Sequence, residues 1–153
     1  MNIRSLSSSR YVSALILDAS GFQSSVIMSE KEQDPMIIKT GLDETSFERD
    51  GSSTFISFLF ATAVNSYLRH ENGRIRLSRY QNEYLFKGDA TFKLFSSSKN
   101  REIVAFESIN LPGHLIQVDP ETKTAIVLVQ PNSHFTGDID QLDKSFLFQF
   151  IFN

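Results

Sequence analysis

The sequence predicts an all-β protein built from many short strands. Segments rich in β-branched and aromatic residues recur along the chain, with Gly, Pro, Asn, Asp or Ser near their ends. They are RYVSALILD (10–18), FISFLFATA (55–63), IVAFESI (103–109), TAIVLVQ (124–130) and SFLFQFIF (145–152). No window shows an apolar helical stripe flanked by capping residues. Together these observations favour a β-barrel or a β-sandwich.

The C-terminal segment has the clearest strand pattern. Phe146, Phe148, Phe150 and Phe152 fall on one side of a strand with a period of two residues. The chain has 14 Phe and no Trp, which fits a core of alternating aromatic and aliphatic side chains. We therefore interpret this run of Phe as part of the core and not as a ligand-binding surface.

Composition and charge limit the classes of function that the chain can have. The chain of 153 residues is long enough to form one domain with a buried core. Its net charge of −3 predicts binding neither to nucleic acid nor to an anionic membrane. The absence of Cys excludes disulfides, thiol nucleophiles and cysteine metal sites, and no cofactor motif is present. The start MNIRSLSSSR lacks the apolar region of a secretory signal, so we expect a cytoplasmic or non-classically secreted protein.

An internal repeat selects one β architecture. An acidic residue followed by any residue, Ser or Thr, and then Phe occurs as ETSF, DATF and DKSF, which end at Phe47, Phe92 and Phe146. Upstream, Phe58 and Phe106 belong to similar strand segments. Three units, at approximately 10–53, 54–100 and 101–153, predict a single β-trefoil domain. In it, the N-terminal strand would pair beside the Phe-rich C-terminal strand and leave no open edge.

Two of these units resemble a known family. YLRHENGRIRL (67–77) followed by GDATFKLF (88–95) resembles the repeat of the arabinofuranosidase B-type carbohydrate-binding domain. FESINLPGHLIQV (106–118) and DIDQLDKSF (138–146) are similar to the start and the end of its next repeat. That family is a β-trefoil attached to enzymes that degrade arabinan and arabinoxylan, and it holds arabinofuranose side chains in pockets. The resemblance implies a non-catalytic carbohydrate-binding module with the catalytic domain absent.

The resemblance also implies the site residues of the middle unit. His70 and Asp89 would line a pocket, with Tyr67 as its wall. A carboxylate can accept hydrogen bonds from two neighbouring sugar hydroxyls, and imidazole can donate or accept. On this interpretation the partners of Asp89 are sugar and water. The alternative is that Asp89, after Gly88, is a turn residue that binds nearby backbone N–H groups, and that His70 is exposed without a partner.

The outer units depart from the pattern. The third unit keeps an acid at Asp143, with Gln117 at the arginine position and Val118 at the histidine position. In the first unit, Ser25 replaces the histidine and Glu44 the aspartate. We therefore expect arabinofuranose binding mainly in the middle unit, with a weaker candidate site at Asp143.

Other clusters have simpler interpretations. His134, Asp138 and Asp140 lie close in sequence but lack a further metal-ligand spacing, so we expect a solvated loop and no metal. The arginines of RHENGRIRLSR (69–79) alternate with apolar residues, which predicts the polar face of a hairpin with an Asn72-Gly73 turn.

Two other function classes stay open. FESINLPGHLI (106–116) also resembles a segment of interleukin-one-type ligands, which would make the chain a cytokine-like signalling trefoil. A protein-interaction trefoil that has lost its sugar site is the second, because the outer units are degenerate. No P-loop, nucleophile elbow or zinc spacing points to an enzyme.

Overall fold

The computed structural model describes residues 1–16, 24–30, 35–43, 54–132 and 134–152. The described residues form twelve β-strands, one short α-helix and two 3₁₀ segments. In chain order they are β1 (Asn2–Ser5), β2 (Tyr11–Ile16), β3 (Ser24–Ser29), β4 (Met36–Thr40), β5 (Thr54–Phe60), β6 (Ser66–Glu71), β7 (Arg74–Arg79), α1 (Tyr84–Asp89), β8 (Phe92–Ser96), β9 (Ile103–Ser108), β10 (Leu115–Val118), β11 (Ile126–Val129), 3₁₀ segments Ile139–Gln141 and Lys144–Phe146, and β12 (Phe148–Ile151). The prediction of an all-β protein is confirmed. No described helix has the length and apolar character needed to cross a membrane.

The strands are antiparallel and close into a barrel. Strands β5, β6, β7, β11, β10, β9 and β8 each pair with the next, and β8 pairs with β5. Two strands outside this ring pair with strands of the ring: β12 with β9, and β4 with β5. On its other side, β12 pairs with β1. Backbone hydrogen bonds between Met36 and Met1, at 2.7 and 3.2 Å, join the start of β4 to the start of the chain. Few backbone edges are therefore left open among these strands.

The N-terminal strand pairs with the C-terminal one, but it is not the segment that the sequence pattern indicates. Strand β1 pairs with β12 from Asn2 opposite Ile151 to Ser5 opposite Phe148. Within the stronger pattern at 10–18, residues Tyr11–Ile16 form β2 instead, which pairs with β3 along its whole length. Strand β1 has only four residues, and so short a segment carries too little alternation to be recognised.

Aromatic rings form the centre of the core. Phe58 of β5 contacts Phe106 of β9 edge-on, with 5.1 Å between ring centroids. Phe106 also packs against Phe148 of β12, at 5.7 Å. Phe92, at the start of β8, lies 6.1 Å from Phe58 and is fully buried. Edge-to-face and tilted aromatic pairs stabilise a core beyond the area that they bury, so these barrel strands share one packed centre.

The alternating Phe residues near the C-terminus do not all share one environment. Phe146 and Phe148 are buried, Phe150 is half-buried against the core, and Phe152 is 74% exposed. Strand β12 covers only part of the run, because Phe146 lies in the 3₁₀ segment before it. Phe152 follows Ile151, the last residue that pairs with β1. The prediction that the run belongs to the core therefore holds for Phe146 and Phe148 and fails for Phe152.

The β6–β7 hairpin has the predicted turn. Ser66 pairs with Arg79 and Glu71 with Arg74, so that Asn72 and Gly73 form a two-residue connection. Both have positive φ angles, 53° and 76°, as the tight turn of a two-residue hairpin requires. The turn fixes the register of β6, the strand that carries His70.

Helix α1 was not expected from the sequence. It has six residues, too few for an apolar stripe to be recognised. Phe86 anchors it, since this side chain is buried and contacts Tyr80 edge-on at 5.9 Å. As a consequence Asp89 is the last residue of a helix and not part of the strand that begins at Phe92.

In the first unit, the residue that corresponds to His70 by sequence spacing does not lie at the same strand position as His70. Ser25 lies in β3, the second strand of its hairpin, whereas His70 lies in β6, the first strand of its hairpin. The loops differ in length, so equal spacing along the chain does not give equal strand positions. Glu44 and Phe47 lie outside the described residues.

We expect Phe148→Ala to lower the free energy of unfolding by about 3–5 kcal/mol, because a buried aromatic ring leaves a cavity when it is truncated. Phe148 is 1% exposed. The matched control is Phe152→Ala on the same segment, which should change stability by less than about 0.5 kcal/mol. Urea unfolding measures both. Similar losses for the two variants would contradict the packing of β12 described above.

A second prediction concerns pH. Hydrogen bonds from the hydroxyls of Ser97 and Ser98, at 2.6 and 2.8 Å, lower the pKa of Asp140. A carboxyl with a lowered pKa stabilises the fold above its unfolded-state value of about 3.9, and this contribution is lost as the pH falls through the folded-state value. Asp140→Asn should therefore lower the Tm at pH 7, with a difference that shrinks as the pH falls below 3.9. A constant difference across thermal melts at these pH values would refute the role of the charge.

Candidate functional site

The structure brings His70 and Asp89 together. His70 Nε2 lies 3.4 Å from Asp89 Oδ1. Both residues are buried, with 7% and 5% of their surface exposed. His70 reaches this position from β6, and Asp89 from the end of α1. The expectation of an exposed His70 without a partner is wrong.

Arg69, which the site prediction did not include, binds the carboxylate of Asp89. Arg69 Nη2 donates to Asp89 Oδ2 at 2.5 Å. The same guanidinium lies 5.3 Å from the ring centroid of Phe86 and 3.7 Å from the carboxylate of Glu71. Glu71 in turn accepts a hydrogen bond from Arg76 at 2.5 Å. Asp89 is therefore one end of a chain of alternating charges that crosses the β6–β7 hairpin.

Asn110 links the aspartate to the histidine. Its Nδ2 donates to Asp89 Oδ1 at 2.8 Å, which fixes the orientation of the amide because a carboxylate can only accept. Its Oδ1 accepts from Ser108 Oγ at 2.9 Å and lies 2.6 Å from His70 Nε2. An amide oxygen cannot donate, so Nε2 of His70 must carry the hydrogen. The network thus selects one tautomer of His70.

Neither sequence interpretation of Asp89 describes these contacts. Its partners are the side chains of Arg69, His70 and Asn110, so it is not held by solvent alone. Nor does it act as a turn residue that caps backbone N–H groups. Arg69 stands next to His70 in the motif, so a search for a countercharge to a buried acid could have found it. Asn110 carries no such signal, because it belongs to the loop after β9.

These residues line a cavity of about 550 Å³. Asp43, His70 and Asp89 are buried, and we call this part of the lining the floor of the cavity; Tyr84, Leu85 and Leu111 are exposed, and we call this part its mouth. The lining consists of Asp43, His70, Tyr84, Leu85, Gly88, Asp89, Ile109, Asn110, Leu111 and Pro112. Gly88 is needed for close packing, since a Cβ there would lie 3.0 Å from Nδ2 of Asn110. The predicted pair therefore faces a space that can admit a small ligand.

Asp43 and Thr91 connect this cavity to the first unit. The backbone N–H of Asp43 donates to Thr91 Oγ1 at 3.0 Å, and that hydroxyl donates to the carbonyl of Lys87 at 2.7 Å. The hydroxyl of the DATF motif therefore ties the segment of Asp43 to the last turn of α1. Asp43 is a buried acid in the cavity lining that sequence reasoning missed.

Tyr67 is not part of the lining of this cavity. It lies buried in a small cluster with Phe86 and Ala90, and its ring is 6.2 Å from that of Tyr80. In this position Tyr67 supports α1 from beneath. Its assignment as a wall of the sugar pocket stays a prediction.

The third-unit acid has different contacts. Asp143 Oδ1 accepts from the backbone N–H of Ser145 at 2.9 Å and caps a 3₁₀ segment. Hydrogen bonds from the hydroxyl and the backbone N–H of Ser145 lower the pKa of Asp143. Gln117 donates to the hydroxyl of Ser145 at 2.8 Å, and Val118 is buried in the core. For this acid, the interpretation as a capping residue describes what is observed.

Asp143 and Gln117 nevertheless line a second cavity, of about 560 Å³. The first cavity differs from it in having a His and a paired Asp at its floor.

The acidic loop near the C-terminus does not gather metal ligands. Among the described residues, no group of three potential ligands lies together, and this includes His134, Asp138 and Asp140. Asp138 caps the backbone N–H of Asp140 at 3.0 Å.

Removing the carboxylate of Asp89 should destabilise the fold, in contrast to the expectation from sequence. Asp89→Ala leaves the buried Arg69 with only the longer contact to Glu71, and breaking a buried ion pair in this way costs about 3–5 kcal/mol. Asp143→Ala removes a hydrogen bond of an exposed residue and should cost about 1 kcal/mol. Chemical denaturation of the two variants compares these values. Equal losses would show that the Arg69–Asp89 pair contributes little.

Several solved structures resemble this chain at low sequence identity. A GH54 alpha-L-arabinofuranosidase soaked with a cyclic sulfate inhibitor has a TM-score of 0.68 and 16% identity, and the match covers 97% of this chain and 30% of that one. An arabinofuranosidase complexed with arabinofuranosyl-alpha-1,2-xylobiose has a TM-score of 0.56 and 17% identity, over 90% and 30% of the two chains. The cytokine interleukin-36alpha has a TM-score of 0.50 and 14% identity, over 90% and 88%. These likenesses show the fold, and this chain spans less than a third of the two enzymes.

The family is established by a sequence comparison. No curated protein sequence matches the chain significantly. The family model of the alpha-L-arabinofuranosidase B (ABFB) domain matches residues 6–148, which is nearly the whole chain. The domain of that family has a β-trefoil-type fold, in agreement with the sequence prediction and with the barrel described above. The chain therefore belongs to the alpha-L-arabinofuranosidase B (ABFB) domain family.

Proposed function

We propose that this domain is a non-catalytic carbohydrate-binding module for arabinofuranose-type sugars, and that the cavity at His70 and Asp89 is its binding site. The observation that carries the proposal is the convergence of these two residues on one cavity. Membership of the ABFB family supports the class of ligand. The crystallised complex of one structural neighbour with an arabinofuranosyl sugar agrees with that class.

The floor of the cavity has hydrogen-bonding capacity left for a sugar. A carboxylate offers about four acceptor positions, and the hydrogen bonds of Asp89 with Arg69 and Asn110 use two. With Nε2 of His70 donating to Asn110, Nδ1 is the ring nitrogen that is left to contact a sugar hydroxyl. These groups would receive sugar hydroxyls as donors. A few such contacts match an affinity near millimolar, about −4 kcal/mol.

The network also keeps the binding groups in place before the sugar arrives. Arg69 and Asn110 hold the two carboxylate oxygens of Asp89, and Gly88 leaves room for the amide. A ligand therefore does not need to order these side chains, which reduces the free-energy cost of binding. On this proposal the buried ion pair positions the acceptor and is not itself displaced.

We also propose that the domain consists of three repeats, of which the middle one is the main binding unit. Matching core positions support the repeats, with the first repeat starting at β1 and not near residue 10: Ile3, Phe58 and Phe106, in β1, β5 and β9, all line one small internal cavity of about 10 Å³. Val12, Leu68 and Ile116, in β2, β6 and β10, line it too. Of the middle and third units, only the middle one has both a histidine and a paired aspartate.

The test is a titration with methyl alpha-L-arabinofuranoside, followed by NMR. The double variant Arg69→Gln/Asp89→Asn removes both charges, leaves no orphaned ion, and keeps the side chains similar in shape. Losing a charge-assisted hydrogen bond costs about 1.5–3 kcal/mol, so the affinity should fall at least tenfold. Asp143→Asn, in the other cavity, is the control and should leave the affinity unchanged.

Two results would overturn the proposal. If the wild-type protein does not bind the furanoside at tens of millimolar, the domain is not a module for this sugar, and a protein-interaction or cytokine-like role becomes the better hypothesis. If Asp143→Asn abolishes binding while the double variant retains it, the site lies in the third unit. Thermal melts show whether each variant is folded.

A further inference from the structure

The edge of strand β4 that faces away from β5 is open beyond the first residue of the strand. We propose that this edge binds an extended segment of a partner protein, which adds to β4 as an antiparallel strand. The segment carries a large apolar residue opposite Ile37 and an acidic residue opposite Lys39. No residue of β4 lines the His70–Asp89 cavity, so binding at this edge does not require sugar binding.

The pairing of β4 with β5 determines which backbone groups of β4 point to the open edge. The carbonyl of Pro35 accepts from the N–H that follows β5, and the N–H of Gly41 donates to a carbonyl of β5, each at 3.0 Å. In an antiparallel pair, residues that exchange hydrogen bonds alternate with residues that do not. Every second residue from Pro35 to Gly41 therefore faces β5. The backbone groups of the residues between them, Met36, Ile38 and Thr40, point away from β5.

Of these three outward-facing residues, Met36 alone has a backbone partner within the described part of the chain. Its N–H donates to the carbonyl of Met1 at 2.7 Å, and the amino group of Met1 donates to its carbonyl at 3.2 Å. Among the described residues, Ile38 and Thr40 have no such contact. Their N–H and C=O groups are a template for a further strand, as in complexes that form by strand addition.

The Met1–Met36 contact has a counterpart in each of the other two units, where β5 pairs with β8 and β9 pairs with β12. In each unit, the first residue of the pair lies two positions before a residue that lines the internal cavity, as Met1 lies before Ile3. The two counterparts are Ile56–Phe92 and Val104–Phe148. Met36 is 1% exposed and is thus as deeply buried as its counterparts. The edge of β4 is therefore where a third strand pair of this kind would continue.

The two counterparts show which side chain fits opposite Ile37. In the middle unit the pair continues with Phe55 opposite Lys93, and in the third unit with Ile103 opposite Gln149. Both continuing residues are large and apolar, and Phe55 is 6% exposed. Ile37 holds the matching position on β4 and is 46% exposed. A large apolar residue opposite Ile37 would therefore cover apolar surface that is now in contact with water.

Lys39 distinguishes between two kinds of partner. It is exposed and lies on the same face of β4 as Ile37, because side chains alternate along a strand. If two copies of the chain joined their β4 edges symmetrically, Ile38 of one copy would lie opposite Thr40 of the other, and the two Lys39 side chains would face each other. Like charges in this position are destabilising, whereas opposite charges are favourable. The edge is therefore better suited to an acidic segment than to a second copy of the chain.

The test is a titration of the ¹⁵N-labelled wild-type protein with the peptide acetyl-Ser-Thr-Asp-Thr-Phe-amide, followed by NMR. In the antiparallel register its Phe lies opposite Ile37 and its Asp opposite Lys39. We expect the largest shifts at the amides of Ile38 and Thr40. Replacing the peptide Asp by Lys should weaken binding about threefold or more, since a favourable charge pair becomes a repulsive one.

Two pairs of protein variants test the contacts. Lys39→Glu should reverse the preference, so that the Lys peptide binds more tightly than the Asp peptide. Lys123→Glu makes the same change of charge at an exposed residue outside β4 and should keep the wild-type preference. Thr40→Pro removes an outward N–H but no hydrogen bond to β5, and should weaken binding about fivefold or more. Thr40→Ala keeps the N–H and is its control.

A tethered segment separates a weak peptide from an absent site. The same five residues, attached directly before Met1, would continue β1 along β4 in the register given above. They should raise the Tm and slow the hydrogen exchange of the Ile38 and Thr40 amides. The control is the same extension with Pro in place of its second Thr, the residue that would lie opposite Ile38, because Pro cannot donate to the strand.

Three results would overturn the proposal. If neither the free nor the tethered segment affects the Ile38 and Thr40 amides, the edge does not accept a strand. If Lys39→Glu keeps the wild-type preference, the partner is not selected by its acidic residue. If sedimentation shows a wild-type dimer that Thr40→Pro abolishes, the occupant is a second copy of the chain. Thermal melts identify any variant that has lost its fold, and the tethered segment, which leaves β4 unchanged, then decides.

Discussion

The ion pair between Arg69 and Asp89 connects the parts of the site. It joins the β6–β7 hairpin to the end of α1, and Asn110 extends it to the loop after β9. These elements come from different stretches of the chain and are not joined by strand pairing. The polar network holds them together. A buried pair of this kind is no guarantee of net stability, but removing one partner is costly. The position of the candidate binding groups and the stability of the fold therefore depend on the same contact.

Much of the fold could be predicted from the sequence. The Phe-rich and β-branched segments identified five of the strands, and the Asn72-Gly73 turn identified the β6–β7 hairpin. What escaped prediction was short or irregular. Strand β1 has four residues and helix α1 has six, so neither shows a periodic pattern. Both are defined by tertiary contacts: β1 by pairing with β12, and α1 by the burial of Phe86.

The candidate site could be predicted only in part. His70 and Asp89 were found because a family motif contains them, and the structure places them together. Arg69 and Asn110, the partners of Asp89, and Asp43 in the cavity lining were not found, since whether a polar residue is buried and paired depends on contacts between distant segments. The acid of the motif has two different roles. Asp89 pairs with a buried arginine, whereas Asp143, whose unit has Gln117 at the arginine position, caps the backbone N–H of Ser145.

The pairing of β1 with β12 has a consequence for the order of folding. Asn2 lies opposite Ile151, so this strand pair, which lies outside the closed ring, joins residues that are far apart in the sequence. During synthesis on the ribosome, the edge of β1 that pairs with β12 must wait until β12 has emerged. Pairing over such a separation is slow to form, and an unpaired strand edge promotes association with other chains in the meantime. Early hairpins such as β6–β7 can form locally, whereas the last step of assembly is set by the final strand.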